Sequence, residues 1–305
     1  MASAAHDVKI LLKGLVSSSS QGLQEIDLQE RFHLIKELGS GGHGSVLLVK
    51  DKETNQKMAL KILEKKRTSK RQFLIEFSVS SYLSSHPNII RSFDMAFKTQ
   101  DHFVFGLEAA PVGDLSSIIV RNVGLLEDNV KRCAMQISSA LEFIAEKGLV
   151  HMDIKCKNIL VFDQECRCVK ITDFGLTRMK GTVIRSKSGS TSYRAPEMCE
   201  LTGQEELAVD STLDVWSFGV LLYCLITGKF PWKVATDKDK RFSRFVAWQN
   251  NHCDDPPASW NKLPTCLQRM FGCLLAVDYS QRSKPTEVLC YMEESWKTDS
   301  TYSTD

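Results

Sequence analysis

None of the ten cysteines in this 305-residue chain falls in a CxxC pair or in a Cys/His cluster at zinc spacing. Zinc modules built from adjacent ligand pairs are therefore excluded. A chain this long without a secretion signal also does not call for a disulfide framework. The expectation is a reduced, intracellular and cytoplasmic protein. Charge of one sign is missing too. The net charge is +2 with 25% charged residues, so bulk electrostatics imply neither a nucleic-acid-binding nor a membrane-binding surface. The second residue is Ala2 and not the glycine that N-myristoylation needs. The first apolar stretch is broken by Lys13 and is too short for a signal-peptide core. The longest apolar run, residues 213 to 228, carries Asp214 at its head. It is shorter than the ~20 residues of a membrane span and reads as a buried helix.

What is present falls into two halves. Residues 1–30 read as an N-terminal extension with a weak amphipathic helix, a Ser17–Ser20 run and a second short helix. From Phe32, alternating stretches around 34–38, 46–49 and 58–63 are broken by glycines and by the charged turn 51–55, the pattern of an antiparallel meander. A helix is expected over 70–84 and two strands between 91 and 107. After the connector Ala109–Gly113, helical periodicity dominates at 126–146, 212–227, 240–250, 263–275 and 285–296. The predicted class is α+β: a small antiparallel β lobe with one main helix (31–109), a larger mainly helical lobe (110–296) and a short polar tail (297–305).

Four motifs carry chemistry. Gly39-Ser40-Gly41-Gly42-His43-Gly44-Ser45-Val46 has the form GxGxxGxV. Glycines let backbone amides approach phosphates with no Cβ in the way. A dinucleotide-binding turn would place a helix after the glycines. Here a strand follows, which favours a β-hairpin flap. Second, Lys61 follows Ala59-Leu60 late in the third strand, where it is the expected partner of nucleotide α- and β-phosphates. Glu76, central in the next helix, is its expected carboxylate partner. One turn further, Ser80 stands where an apolar packing residue is expected. Third, residues 151–175 read HMDIKCKNILVFDQECRCVKITDFG. Phosphoryl transfer needs this set: Asp153 to accept the proton of the attacking hydroxyl, Lys155 to steady the moving phosphate, and Asn158 and Asp173 as oxygen ligands for Mg²⁺. Fourth, Ala195-Pro196-Glu197 is expected to pair through Glu197 with Arg282, since a buried carboxylate needs a partner and arginine offers a two-pronged one. Asp214 could brace the catalytic run from below by accepting backbone N–H groups.

With these motifs in order, residues 32 to 296 resemble the eukaryotic protein kinase fold. Lys155 resembles the serine/threonine branch. EFSVSSYL, APVGDL, KRCAMQISSALEF and NILVFDQECRCVKITDFGLTR resemble the SH3-binding-domain kinase family. The resemblance implies ATP and Mg²⁺ as cofactors and protein Ser/Thr hydroxyls as substrate. It also implies roles at further positions: Leu38, Val46, Ala59, Leu160 and Thr172 around adenine, Leu107 as gatekeeper, backbone groups of Glu108 and Ala110 at the hinge, and Asp114 near the ribose.

Three departures qualify it. Met152 stands where most kinases have the arginine that grips an activation-loop phosphate, so activity is expected not to require phosphorylation at Ser186, Ser188 or Ser190. Lys157 and Cys224 replace the glutamates of basophilic kinases, so a strong preference for Arg two residues before the target is not expected. The eight prolines include no PxxP, and the tail KTDSTYSTD contains none. The polyproline helix that SH3 grooves read is therefore missing, and SH3 binding is not carried over. The alternatives from other classes are a pseudokinase that binds nucleotide as a scaffold and a small-molecule kinase. Retention of Lys61, Asp153, Asp173 and the flap glycines argues against the first, and the protein-substrate platform 189–197 against the second.

Overall fold

Glycines and the Asp51–Gln56 turn divide the first third of the chain into the strands of one antiparallel sheet. The computed structural model describes residues 22–41, 44–250 and 255–297. Helix α1 (Leu28–Arg31) leads into β1 (Phe32–Gly41), β2 (Gly44–Asp51) and β3 (Lys57–Glu64). Helix α2 (Lys70–Leu83) follows, then β4 (Ser92–Lys98) and β5 (His102–Leu107). The sheet order is β1-β2-β3-β5-β4. Helix α2 starts at a capping box in which Ser69 and Gln72 satisfy each other's backbone N–H. The first amphipathic segment expected in residues 1–30, and Gly42 and His43 of the flap, lie outside the described residues.

Register decides which side chains share the cleft. Val46 opposes Lys61, and Lys61 opposes Phe105. Ala59 opposes Leu107. Side chains two apart share a face, so Val46, Ala59, Lys61 and Leu107 line one face. Met58, Leu60 and Ile62 line the other, with Phe32, Val49, Phe97 and Val104. The expected alternation in β1 does not hold: Phe32 is buried, but Leu34, Ile35 and Leu38 are exposed. The register slips twice, between Leu34 and Lys36 and between Glu37 and Gly39, and each bulge resets the two-residue period. Residues 24–26 run along the β4 edge, with Ile26 N–H donating to the Lys98 carbonyl and Lys98 N–H to that of Gln24, both at 2.9 Å. Ile26 and Leu28 then cover the outer face of the sheet.

The larger lobe is built on α6 (Thr212–Thr227), preceded by β6 (Gly113–Asp114), α3 (Leu115–Ile118), α4 (Glu127–Glu146), β7 (Leu149–Val150), β8 (Ile159–Val161), β9 (Val169–Ile171), the short pairs β10 (Arg178–Met179) and β11 (Val183–Ile184), α5 (Pro196–Cys199) and β12 (Leu207–Ala208). It is completed by α7 (Lys240–Gln249), α8 (Ala258–Asn261) and α9 (Thr265–Leu274). Helix α6 is buried almost all round, as its uninterrupted hydrophobicity requires. Among the described residues no helix is long and apolar enough to cross a membrane. The helix expected over 285–296 is a 3₁₀ turn at Pro285–Tyr291. The Tyr291 carbonyl accepts from Glu294 N three residues on at 3.2 Å and from the Trp296 indole N–H at 2.8 Å, a 3₁₀ pattern in place of the i+4 bonds of an α-helix.

The Glu197–Arg282 pair ties the two ends of this lobe. Arg282 donates to both Glu197 oxygens at 2.8 and 3.2 Å, to the Thr212 carbonyl at 2.8 Å and to the Ala276 carbonyl at 3.1 Å. Its guanidinium lies 4.9 Å from the Trp216 ring centroid. Removing one member leaves an uncompensated buried charge. Arg282→Ala is therefore expected to lower stability by about 3–5 kcal/mol in urea unfolding. A loss under 1 kcal/mol would show that the pair is solvated in practice.

Candidate functional site

The flap is the β1–β2 hairpin, in which Gly39 faces Val46, Ser40 faces Ser45 and Gly41 faces Gly44. Gly44 has φ +143, and a Cβ there would stand 1.9 Å from the Ile62 carbonyl oxygen. Only glycine lets β2 lie this close to β3 at its first residue.

Below the flap, the Lys61 ammonium donates to Glu76 of α2 and, at 2.8 Å, to Asp173 Oδ1. Burial alone would lower the Lys61 pKa, but the Glu76 and Asp173 carboxylates outweigh it and hold the ammonium above the usual lysine range. The Lys61 charge in turn is the main reason that the Asp173 carboxyl is held well below its ordinary range, against the opposing effect of burial. Asp173 has left-handed backbone geometry (φ 70, ψ 74), and the next residue, Phe174, is buried against His151 with ring centroids 5.1 Å apart. Ser80, one turn after Glu76, is buried, and neither its hydroxyl nor that of Ser78 finds a hydrogen-bond partner among the described residues. Each such group costs about 1–3 kcal/mol, so the helix that carries Glu76 is held less firmly than an apolar residue would hold it.

The catalytic run leaves β7, turns through Met152 (φ 71) and passes a 3₁₀ turn at Cys156–Asn158 into β8. The Asp153 carboxylate collects four donors. Ser190 N and Oγ reach Oδ1 at 3.1 and 3.0 Å. Lys155 Nζ and Asn158 Nδ2 reach Oδ2 at 2.5 and 3.1 Å. The Asn158 amide also donates to the Asp153 carbonyl at 2.8 Å. Asp214, at the head of α6, accepts from His151 N at 2.6 Å and Met152 N at 2.8 Å. Burial raises the Asp214 pKa, while His151 and these two N–H groups pull it back part of the way.

Leu38 is exposed on β1. Asp114 opposes Leu160 across β6–β8, and Thr172 N–H donates to the Asn158 carbonyl at 2.9 Å. Asp114 caps α3 by accepting from Ser116 N at 2.8 Å. The Glu108 side chain is used within the hinge: it accepts from Arg91 N at 2.7 Å and Lys170 Nζ at 2.6 Å. Ala110 is half-buried three residues after Leu107. Asn158 and Asp173 supply one amide and one carboxylate oxygen, the hard donors that Mg²⁺ takes. The Asn158 nitrogen is committed to Asp153, so its oxygen is the atom left for a cation. Sequence reasoning missed His151 as a hub. Asp153 N–H donates to its Nδ1 at 3.2 Å, and its Nε2 donates to the Thr172 carbonyl at 3.1 Å. It thereby links the catalytic run to the residue before Asp173. The only signal was its place two residues before Asp153.

A five-stranded antiparallel lobe over a helical lobe, with a lysine–carboxylate cluster between them, defines the class. The protein kinase domain matches residues 32–292, and the chain belongs to the protein kinase family. It is similar to serine/threonine-protein kinase SBK1 of Danio rerio, 43% identical over 291 residues that cover 95% of this chain and 76% of that protein. The Mus musculus SBK1 is 42% identical over 286 residues (94% and 69%), and serine/threonine-protein kinase SBK2 of Homo sapiens is 36% identical over 289 residues (94% and 83%). Within the family the chain is a serine/threonine protein kinase of the SH3-binding-domain kinase group.

The charge cluster predicts a stability window. Asp173, with its pKa lowered, contributes stability above its ordinary 3.8 and loses it as pH falls further. Lys61, with its pKa raised, contributes below its ordinary 10.5 and loses it as pH rises. The stability advantage of wild type over Lys61→Met is therefore expected to be full between about pH 5 and pH 10 and to shrink outside that range. A difference that does not change down to pH 3 in thermal unfolding would contradict the assignment.

Proposed function

We propose that the protein transfers the γ-phosphate of ATP to serine and threonine hydroxyls of protein substrates, with Asp153 as the base. The observation that supports this most is the convergence of Lys155, Asn158 and Ser190 on the Asp153 carboxylate, beside the Lys61–Glu76–Asp173 cluster. Adenine lies against Leu38, Val46, Ala59, Leu107, Leu160 and Thr172 and bonds the backbone of Glu108 and Ala110, with Asp114 near the ribose. The backbone of Gly39, Ser40, Gly41 and Gly44 covers the phosphates, and Lys61, steadied by Glu76, orients the α- and β-phosphates. Asp153 aligns the substrate hydroxyl and takes its proton as the oxygen–phosphorus bond forms and the bond to the ADP oxygen breaks. Lys155 offsets charge on the moving phosphoryl group. Asn158 and Asp173 would hold Mg²⁺, which when bound would neutralise phosphate charge. Positioning and fixed charge supply most of the acceleration.

The nine described cysteines are all unpaired, which supports a reducing compartment and, in this reading, the cytoplasm. The names of the relatives favour an active enzyme over a nucleotide-binding scaffold. SH3 binding forms no part of the proposal.

The test is Mg-ATP-dependent phosphorylation of a generic protein substrate. Asp153→Asn is expected to lose about 10²- to 10⁴-fold in rate, to leave the ATP-induced rise in melting temperature intact, and to remove label from serine and threonine alone. No incorporation by wild type across several substrates, with ATP binding retained, would favour the scaffold.

A further inference from the structure

The segment that follows Asp173 lies against the catalytic run. Met152, immediately before Asp153, is 7% exposed and brings no charge. Residues 188–190 pass so close above it that a Cβ on Gly189 would stand 2.5 Å from the Met152 carbonyl oxygen, and Gly189 itself has φ +73. A side chain there would force the segment away. On the other side of the same turn, Arg194 Nε donates to the Ser188 carbonyl at 2.9 Å and Arg194 Nη2 to the Gly189 carbonyl at 2.8 Å. The next residue, Ser190, directs its N–H and hydroxyl at Asp153 Oδ1. The chain beyond is fixed as well. Ser217 Oγ of α6 donates to the Tyr193 carbonyl at 2.9 Å, and the Tyr193 hydroxyl accepts from Cys156 N at 3.3 Å.

We propose that Arg194 is a positioning residue for phosphoryl transfer, and that its guanidinium does from within the segment what an arginine at the Met152 position would do by gripping a phosphate on it. The guanidinium is a planar fork whose two prongs match two neighbouring carbonyls. Holding those carbonyls fixes the turn at Gly189, and the turn decides where Ser190 presents its two donors. Asp153 Oδ1 is thereby restrained while Lys155 and Asn158 restrain Oδ2. The inference rests on the reading of Asp153 as base. It makes phosphorylation at Ser186, Ser188 or Ser190 unnecessary for assembly of the site.

The experiment uses the full chain, treated with a protein phosphatase, as wild type, Arg194→Ala, Arg194→Lys, Gly189→Ala and Asp153→Asn. The readouts are kcat, KM for protein substrate, KM for ATP and the thermal shift with ATP. Phosphatase-treated wild type is expected to keep its activity. Arg194→Ala is expected to lose about tenfold or more in kcat, the rate equivalent of about one net hydrogen bond, with KM for ATP and the thermal shift unchanged. Arg194→Lys should recover part of the loss, since an ammonium can serve one carbonyl, and Gly189→Ala should behave like Arg194→Ala. Loss of wild-type activity on dephosphorylation, or an Arg194→Ala enzyme with wild-type kcat while Asp153→Asn is dead, overturns the inference and leaves the base reading standing. A fall in ATP binding that parallels the fall in kcat assigns Arg194 a merely structural role and also overturns it. Activity retained in Asp153→Asn removes the base reading and this inference together.

Discussion

Lys61 brings three parts of the chain to one point: the sheet, through β3; helix α2, through Glu76; and the segment entering Asp173-Phe174-Gly175. Its side chain is only 15% exposed. A buried ammonium is costly unless carboxylates surround it, and a buried carboxylate is equally costly without a cation. The mutual need of buried Lys61 and Glu76 sets the height of α2 above the cleft, and the same ammonium draws in the half-exposed Asp173 from below. The neighbouring hydroxyls of Ser78 and Ser80 add buried polar groups without partners, which increases the dependence of α2 on the ion cluster.

A second layer of buried polar groups supports the first from the larger lobe. Asp214 holds the His151 and Met152 amides, and His151 connects Asp153 to Thr172, the residue before Asp173. The catalytic run is thus suspended between α6 and the Asp173 segment. Helix α6 is itself fixed by Arg282, which reaches its first carbonyl, at Thr212, and Glu197 at once. These contacts are hydrogen bonds to fixed backbone groups and need no ligand to form. That is the pre-organisation which phosphoryl transfer requires, since its transition state asks for placed charge more than for covalent chemistry.

The sequence revealed the groups whose chemistry restricts residue type. A carboxylate base, hard-oxygen donors, a strand lysine and its acid partner can be read from spacing because few residues could replace them. The two lobes were legible for a related reason: a meander with glycine and charged turns has a different period from long amphipathic helices. What failed was set by distant contacts. The bulges of β1 displace the alternation from Leu34 to Leu38, and nothing local announces them. Residues 24–26 pair with Lys98, more than seventy positions away, in a stretch with no strand pattern. The helix expected over 285–296 is a 3₁₀ turn whose last carbonyl, at Tyr291, is shared between Glu294 N and the Trp296 indole. No motif marks Arg194, because its partners are backbone carbonyls and carbonyls leave no trace in a sequence.

The most direct test of the central role of Lys61 is a double-mutant cycle on kcat/KM with Lys61→Met, Glu76→Gln and the pair, each at constant fold by thermal unfolding. If the lysine acts only as held by its acid, the double variant loses no more than the worse single variant, a strongly non-additive result. Losses that add on the logarithmic scale would show that Glu76 and Lys61 act independently, and would contradict the account.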